Sequence, residues 1–127
     1  MNDRPWILAD YADALDQLGK ALERPSDDDL VRAGTIQYFE FCFELAWKSI
    51  KIIGAAAGLE DCLSPRACLR LAFAQQWIHN EAIWLEMLDA RNRMAHTYSS
   101  KKALEIYTRL ADYHDELRTL SAALNNA

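Results

Sequence analysis

At 127 residues, with 51% apolar side chains and four Trp, the chain is long enough for one buried core and too short for two. That composition excludes a disordered polymer, and no apolar run approaches the roughly 20 residues a membrane span needs. The net charge of −5 argues against a surface that coats nucleic acid.

Only four Gly and three Pro, among abundant Ala and Leu, predict helices joined by short loops. Ile7, Tyr11, Leu15, Leu18 and Leu22 recur at helical spacing and predict a first helix from Trp6 to about Arg24, ended by Pro25. Ser26 is the expected N-cap of a long second helix, and Asp27, Asp28 and Asp29 suit the positive end of its dipole. That helix runs to about Ala57, before Gly58. Ser64 and Pro65 combine an N-cap with proline at the first helical position, opening a third helix through about Trp77. Asn80 is expected to cap a fourth helix carrying Ile83, Trp84, Met87 and Leu88. Ser99 or Ser100 caps a fifth, carrying Ala103, Leu104, Ile106, Tyr107, Leu110 and Leu117. No stretch alternates like a strand. The expectation is a single domain over residues 1–127, an all-α antiparallel bundle of about five helices with the two long early helices as its spine.

The second helix is apolar around most of its circumference, through Ile36, Phe39, Phe41, Phe43, Leu45, Trp47, Ile50 and Ile53. A helix with so little face left for water is central or packs against a second copy of the chain. Gln37, Glu40, Glu44, Lys48 and Lys51 form its narrow polar stripe. Pairing of Glu44 with Lys48 on a solvated edge is the simpler account of that stripe. The alternative is that Glu40 and Glu44 reach the basic stretch described below and orient it. Trp47, Trp77 and Trp84 read as core residues, and Arg66 and Arg70, one turn apart, as a solvated face.

Cys42, Cys62 and Cys68 are odd in number and lack metal-ligand spacing. Cys42, between two phenylalanines, reads as a small buried apolar residue. The first ten residues carry early acids and do not read as a secretory signal. Together these features favour a reducing cytoplasm. His79, His96 and His114 are too dispersed to suggest a metal site, and no cofactor is expected.

The chain's chemistry concentrates in Arg91-Asn92-Arg93-Met94-Ala95-His96-Thr97-Tyr98. A guanidinium can grip a phosphate through two parallel N–H donors, and an imidazole exchanges a proton near neutral pH. Residues 91–102 hold Arg91, Arg93, Lys101 and Lys102 and no acid, whereas residues 1–61 hold 6 basic against 12 acidic side chains. The pattern fits a local anion site on an acidic body, with Arg93, Lys101 and Lys102 as auxiliary anion-binding groups. There is a geometric condition. Five residues turn an unbroken helix by about 500°, so positions 91 and 96 diverge by about 140°. They meet at one phosphate only if the helix ends or bulges between them, as an end near Ala95 would allow, or if a second chain supplies the other half. The plainer reading is that His96 caps the fourth helix while Arg91 pairs with Asp89 or Glu86.

Arg91 to Tyr98 resembles the Arg-x4-His-x-Tyr signature of HEPN-domain proteins of the HepT toxin type. The blocks Phe41 to Lys48, Ser64-Pro65-Arg66 and Trp84 to Leu88 are similar, in order, to those of the nucleotidyltransferase substrate-binding protein family of the same superfamily. The resemblance covers about residues 36–110. It implies a homodimeric helical bundle with two motifs across a shared cleft, RNA as substrate, and a separately encoded minimal nucleotidyltransferase as partner. It further implies metal-independent RNA cleavage in which Arg91 holds the scissile phosphate, His96 moves the proton and Asn92 positions the pair. Tyr98 matches the tyrosine to which the partner transfers AMP, the antitoxin step of a two-gene toxin–antitoxin pair. Two function classes stay open: an RNA-cleaving toxin, and a non-catalytic subunit that binds substrate or nucleotide for the nucleotidyltransferase.

Overall fold

The computed structural model describes residues 5–96 and 99–127, with the side chain of His96 outside the described set. Five helices follow in order: α1 (Trp6–Leu22), α2 (Asp29–Ala56), α3 (Pro65–Ala74), α4 (Glu81–His96) and α5 (Ser100–Asn125). No strand occurs among the described residues.

Caps explain most of the boundaries. Ser64 Oγ accepts from the backbone N–H of Ala67, with Pro65 at the first helical position of α3. Asn80 Oδ1 accepts from Ile83 N–H at 3.2 Å, and Ser99 Oγ from Lys102 N–H at 3.4 Å. At α2 the expected cap is displaced. Asp28, not Ser26, takes the role, its Oδ1 accepting from Leu30 and Val31 N–H. Ser26 instead accepts from Asp28 N–H through its hydroxyl and from Arg32 Nε through its carbonyl. Both side chains suit a helix N-terminus, and a carboxylate there also meets the dipole. Helix α2 ends on Gly58, whose φ of +79° permits the reversal in which Leu59 N–H reaches back to Gly54 O;. Helix α3 ends the same way on Gln76, at φ +62°, with Trp77 N–H returning to Ala72 O. That reversal stops α3 at Ala74, short of Trp77.

Cross-helix contacts set the directions. Tyr11 Oη donates to Leu117 O at 2.5 Å, His114 Nε2 lies 3.0 Å from Leu15 O, and Ser26 N–H donates to Tyr107 Oη at 3.0 Å. Rising numbers on the α1 side meet falling numbers on α5, so the two helices are antiparallel. Trp84 Nε1 donates to Glu116 Oε1 and Arg109 Nε to Glu86 Oε2, so α4 runs antiparallel to α5, while Phe43 against Trp84 and Glu44 against Arg91 join α4 to α2. Helices α1 and α4 flank the α2–α5 pair without touching each other. The longest helices are α2 (28 residues) and α5 (26 residues); α1, expected as half of the spine, has only 17 residues but packs on α2 as extensively as α5 does.

The core centres on Tyr11, Phe39, Phe43, Trp84 and Tyr113, all essentially inaccessible. Of the three tryptophans expected there, Trp84 is fully buried while Trp47 and Trp77 pack partly buried against it. Cys42 is buried, and burial pushes its thiol up to about 12;. Cys62 and Cys68, which the sequence left unpaired, form a disulfide. The start of α3 folds back over the preceding loop and brings their Cα atoms to 5.1 Å, within bridging range;. No described helix is long and apolar enough to cross a membrane.

Candidate functional site

Arg91 lies on α4 where that helix faces α2. Its Nε and Nη2 donate to the two carboxylate oxygens of Glu44 at 2.8 and 3.1 Å, and its Nη1 donates to Asn92 Oδ1 at 3.1 Å. Glu44 is itself fixed, accepting from Trp47 Nε1 at 3.1 Å. Both members of the ion pair are about 30% exposed, so water screens the pair only in part. Three of the five guanidinium N–H groups are thus engaged among the described residues, leaving two, one on each terminal nitrogen. A planar donor held on one edge and open on the other can receive an anion without being reoriented.

The acid that meets Arg91 is on α2, not its own helix. Asp89 pairs with Arg93 at 3.0 Å, and Glu86 pairs with Arg109 at 2.7 Å. Glu44 therefore reaches the basic stretch rather than pairing with Lys48, whose ammonium lies 5.8 Å from the Trp47 ring centroid. Glu40, one turn before Glu44, makes no hydrogen bond to Arg91 among the described contacts but shares its electrostatic environment. Burial, with the neighbouring Glu44 carboxylate, raises Glu40 above the usual carboxylate range, and Arg91 partly opposes that rise;.

Helix α4 continues to His96, so no break falls between positions 91 and 96. The end expected near Ala95 comes one residue later, and the two positions remain about 140° apart around the helix axis. The His96 side chain, Thr97 and Tyr98 fall outside the described residues. Of the auxiliary cations, Arg93 is half-exposed and neutralised by Asp89, while Lys101 and Lys102 are exposed. The basic surplus of residues 91–102 is smaller in space than along the chain, because Glu44 and Asp89 lie outside that window.

Two features beside Arg91 were not anticipated as parts of a site. A cavity of about 120 Å³ opens between α2 and the α4–α5 junction, lined by residues including Ile36, Gln37, Glu40, Met94 and Ala103. Along the outer face of α2, Leu30, Tyr38 and Phe41 are 81%, 37% and 50% exposed. With the partly exposed Leu45 they share one stripe by three- and four-residue spacing. The apolar excess of the second helix signals that stripe. The cavity has no sequence signal, since its walls come from three separate elements.

Residues 7–126 match the family described as nucleotidyltransferase substrate binding protein like. A Haemophilus influenzae protein described as a probable ribonuclease HepT is 34% identical over 96 residues, 67% of this chain and 61% of the relative. The chain thus matches a little under two thirds of that relative's length. A crystal structure from Thermus thermophilus superposes with a TM-score of 0.83 at 27% identity, covering 90% of this chain and 98% of the other. The Haemophilus influenzae protein HI0074, described as revealing the fold of a substrate binding domain of a nucleotidyltransferase, superposes with a TM-score of 0.80 at 27% identity. That match covers 93% of this chain and 98% of HI0074. With nearly the whole helical bundle inside the family match, the chain belongs to the nucleotidyltransferase substrate-binding protein family.

Proposed function

We propose that the chain is the toxin of a two-gene toxin–antitoxin pair, a ribonuclease that uses Arg91 and His96 without a metal. The observation that carries this reading is the Arg91 guanidinium, clamped on one edge by Glu44 and flanked by Asn92. A clamped fork beside a substrate phosphate stabilises the charge that gathers on its equatorial oxygens. His96 takes the proton of the ribose 2′-hydroxyl as that oxygen attacks phosphorus, or returns one to the departing 5′-oxygen. The products are a 2′,3′-cyclic phosphate and a free 5′-hydroxyl. Similarity to a protein described as a probable ribonuclease supports this choice.

The 140° divergence between the two positions supports a homodimer in which Arg91 of one chain works with His96 of the other. The exposed apolar stripe of α2, adjoining the polar edge that holds Glu44, supplies a face for it. The second partner is a minimal nucleotidyltransferase, in keeping with the family and with the description of HI0074. It silences the toxin by transferring AMP to Tyr98, which adds negative charge beside the phosphate site.

The decisive experiment incubates the purified chain with RNA in EDTA and analyses the ends formed. Cyclic phosphate ends that disappear in His96→Ala support the reading; equal cleavage by that variant rejects it. Mass spectrometry of the chain after incubation with its partner, ATP and Mg²⁺ tests Tyr98, with Tyr98→Phe as the control that loses the label. A second reading, a subunit that binds a nucleotide for the nucleotidyltransferase without cutting RNA, is favoured by the family match and by the description of HI0074 as the fold of a substrate binding domain of a nucleotidyltransferase. Glu44 already occupies two of the Arg91 donors, which suits holding a phosphate as well as it suits cleaving one.

A further inference from the structure

Three carboxylates near the motif are already committed. Glu44 gives both oxygens to the Arg91 fork and accepts from Trp47 Nε1 as well. Asp89 is paired with Arg93, and Glu86 with Arg109. Glu40 is different. It is half-buried, yet it has neither a hydrogen bond nor an ion pair among the described residues. A carboxylate that loses water without gaining a partner destabilises the fold, and groups of that kind collect where chemistry uses them.

Two relations put Glu40 beside Arg91. It stands one turn before Glu44 on α2, so the two side chains are neighbours about 5–6 Å apart at Cβ, and Glu44 is bound to Arg91. From the other helix, Met94 follows Arg91 by one turn of α4, and Met94 and Glu40 line the same hollow of about 120 Å³. That space is too small for a base but leaves the carboxyl open to a hydroxyl. The charged groups facing Glu40 are few. Helix α2 contributes Glu44, with Arg32 and Asp29 two and three turns earlier, and α4 contributes Arg91. The α5 wall, Ser100, Ala103 and Leu104, carries no charge.

Cleavage of RNA through the 2′-hydroxyl needs two proton transfers, one from O2′ and one to O5′, and a separate group for each lets both occur in one step. We propose that Glu40 is the general base of the ribonuclease reaction, leaving His96 of the other chain as its general acid. The proposal rests on the ribonuclease reading and assigns the second proton-transfer group to that same site. The Glu40 carboxylate takes the 2′-hydroxyl proton while O2′ forms its bond to phosphorus. The bond from phosphorus to O5′ breaks, its electron pair leaves on O5′, and protonated His96 delivers a proton there. Arg91 stabilises the charge on the non-bridging oxygens. Glu40 ends protonated and His96 neutral, and exchange with water restores both. Burial and the Glu44 carboxylate raise Glu40 above the usual carboxylate range, against the opposing pull of Arg91, which brings a base closer to neutral working pH.

The test compares Glu40→Gln with His96→Ala on two RNA substrates in EDTA. One is ordinary RNA; the other carries sulfur in place of the bridging 5′-oxygen. A thiolate departs without a proton, so the sulfur substrate bypasses a general acid but not a general base. On ordinary RNA each variant is expected to lose on the order of 100- to 10,000-fold in rate. On the sulfur substrate His96→Ala recovers most of that loss and Glu40→Gln recovers none. The wild-type rate falls on the acid side as Glu40 takes up its proton. Glu40→Gln removes that limb of the profile, and Glu40→Asp keeps it at a reduced rate. Circular dichroism checks that the variants fold. Rescue of Glu40→Gln by the sulfur substrate, or a wild-type rate in that variant on ordinary RNA, overturns the assignment and leaves the ribonuclease reading intact. No cleavage of either substrate by the wild type defeats the ribonuclease reading itself, and the base role with it.

Discussion

Two arginines in this bundle are built almost alike, and only one of them sits in the motif. Arg109 on α5 donates through Nε and Nη2 to Glu86 at 2.7 and 3.1 Å, as Arg91 does to Glu44. The difference is the third contact. Arg109 Nη1 meets the carboxylate of Asp112 and its carboxylate partner also accepts from Tyr113, whereas Arg91 Nη1 meets the neutral amide of Asn92. Two acids bonded to Arg109 leave a negative balance that repels a phosphate; at Arg91 one bonded acid and an amide leave two donors without a partner among the described residues, although Glu40 also lies within its field;. An arginine–glutamate fork is thus a bolt at the α4–α5 seam and a presented donor at the α2–α4 seam. The third partner, not the fork, is what distinguishes the two arginines.

That contrast breaks first at Arg91 itself. Arg91→Lys is expected to lower RNA cleavage on the order of 100-fold, because one ammonium reproduces neither the clamp nor the open edge. Arg109→Lys is expected to leave cleavage near wild type and to cost stability instead. An initial-rate assay beside a urea titration separates the outcomes. Asn92→Asp gives Arg91 the surroundings of Arg109. It is expected to weaken nucleotide binding by about tenfold or more while moving the unfolding free energy by less than about 0.5 kcal/mol. Unchanged nucleotide affinity would show that the third contact is irrelevant.

Glu86→Gln probes the bolt. The hydrogen bond from Arg109, ahead of the other influences, holds the Glu86 carboxyl below its usual range. A depressed folded-state value means stabilisation that is present above the unfolded-state value near 4.5 and lost as the pH falls through the folded-state value;. The wild type should exceed the variant by about 1 kcal/mol at pH 7, the pair being partly screened by solvent. The two should converge in acid, as urea midpoints against pH will show. The smallest effect belongs to Asp112→Asn, which gives Arg109 an amide neighbour. It is expected to change stability by under about 0.5 kcal/mol and cleavage not at all.

The helices were legible because each carries its own punctuation. Ser64, Pro65, Asn80, Ser99 and Gly58 act within a few residues, through backbone groups they reach without help from the rest of the fold. Where several residues could do one job, the sequence was ambiguous. Ser26 and Asp28 both suit a cap, and the end of α3 fell on Gln76, a residue with no conformational advertisement for positive φ. The cysteine pair was invisible because a bridge depends on two Cα atoms meeting in space, which spacing alone does not state.

The site divides along the same line. Sequence by itself determined an all-helical chain and the residue types gathered at 91–98, since both arise from local periodicity and side-chain chemistry. Tertiary structure decided which acid holds Arg91, which cation Asp89 neutralises, and that a cavity opens one turn from the clamp. Those outcomes depend on the packing of α2 against α4 and α5, and glutamates 40 and 44 look interchangeable on a helical stripe until a neighbouring helix reaches only one of them.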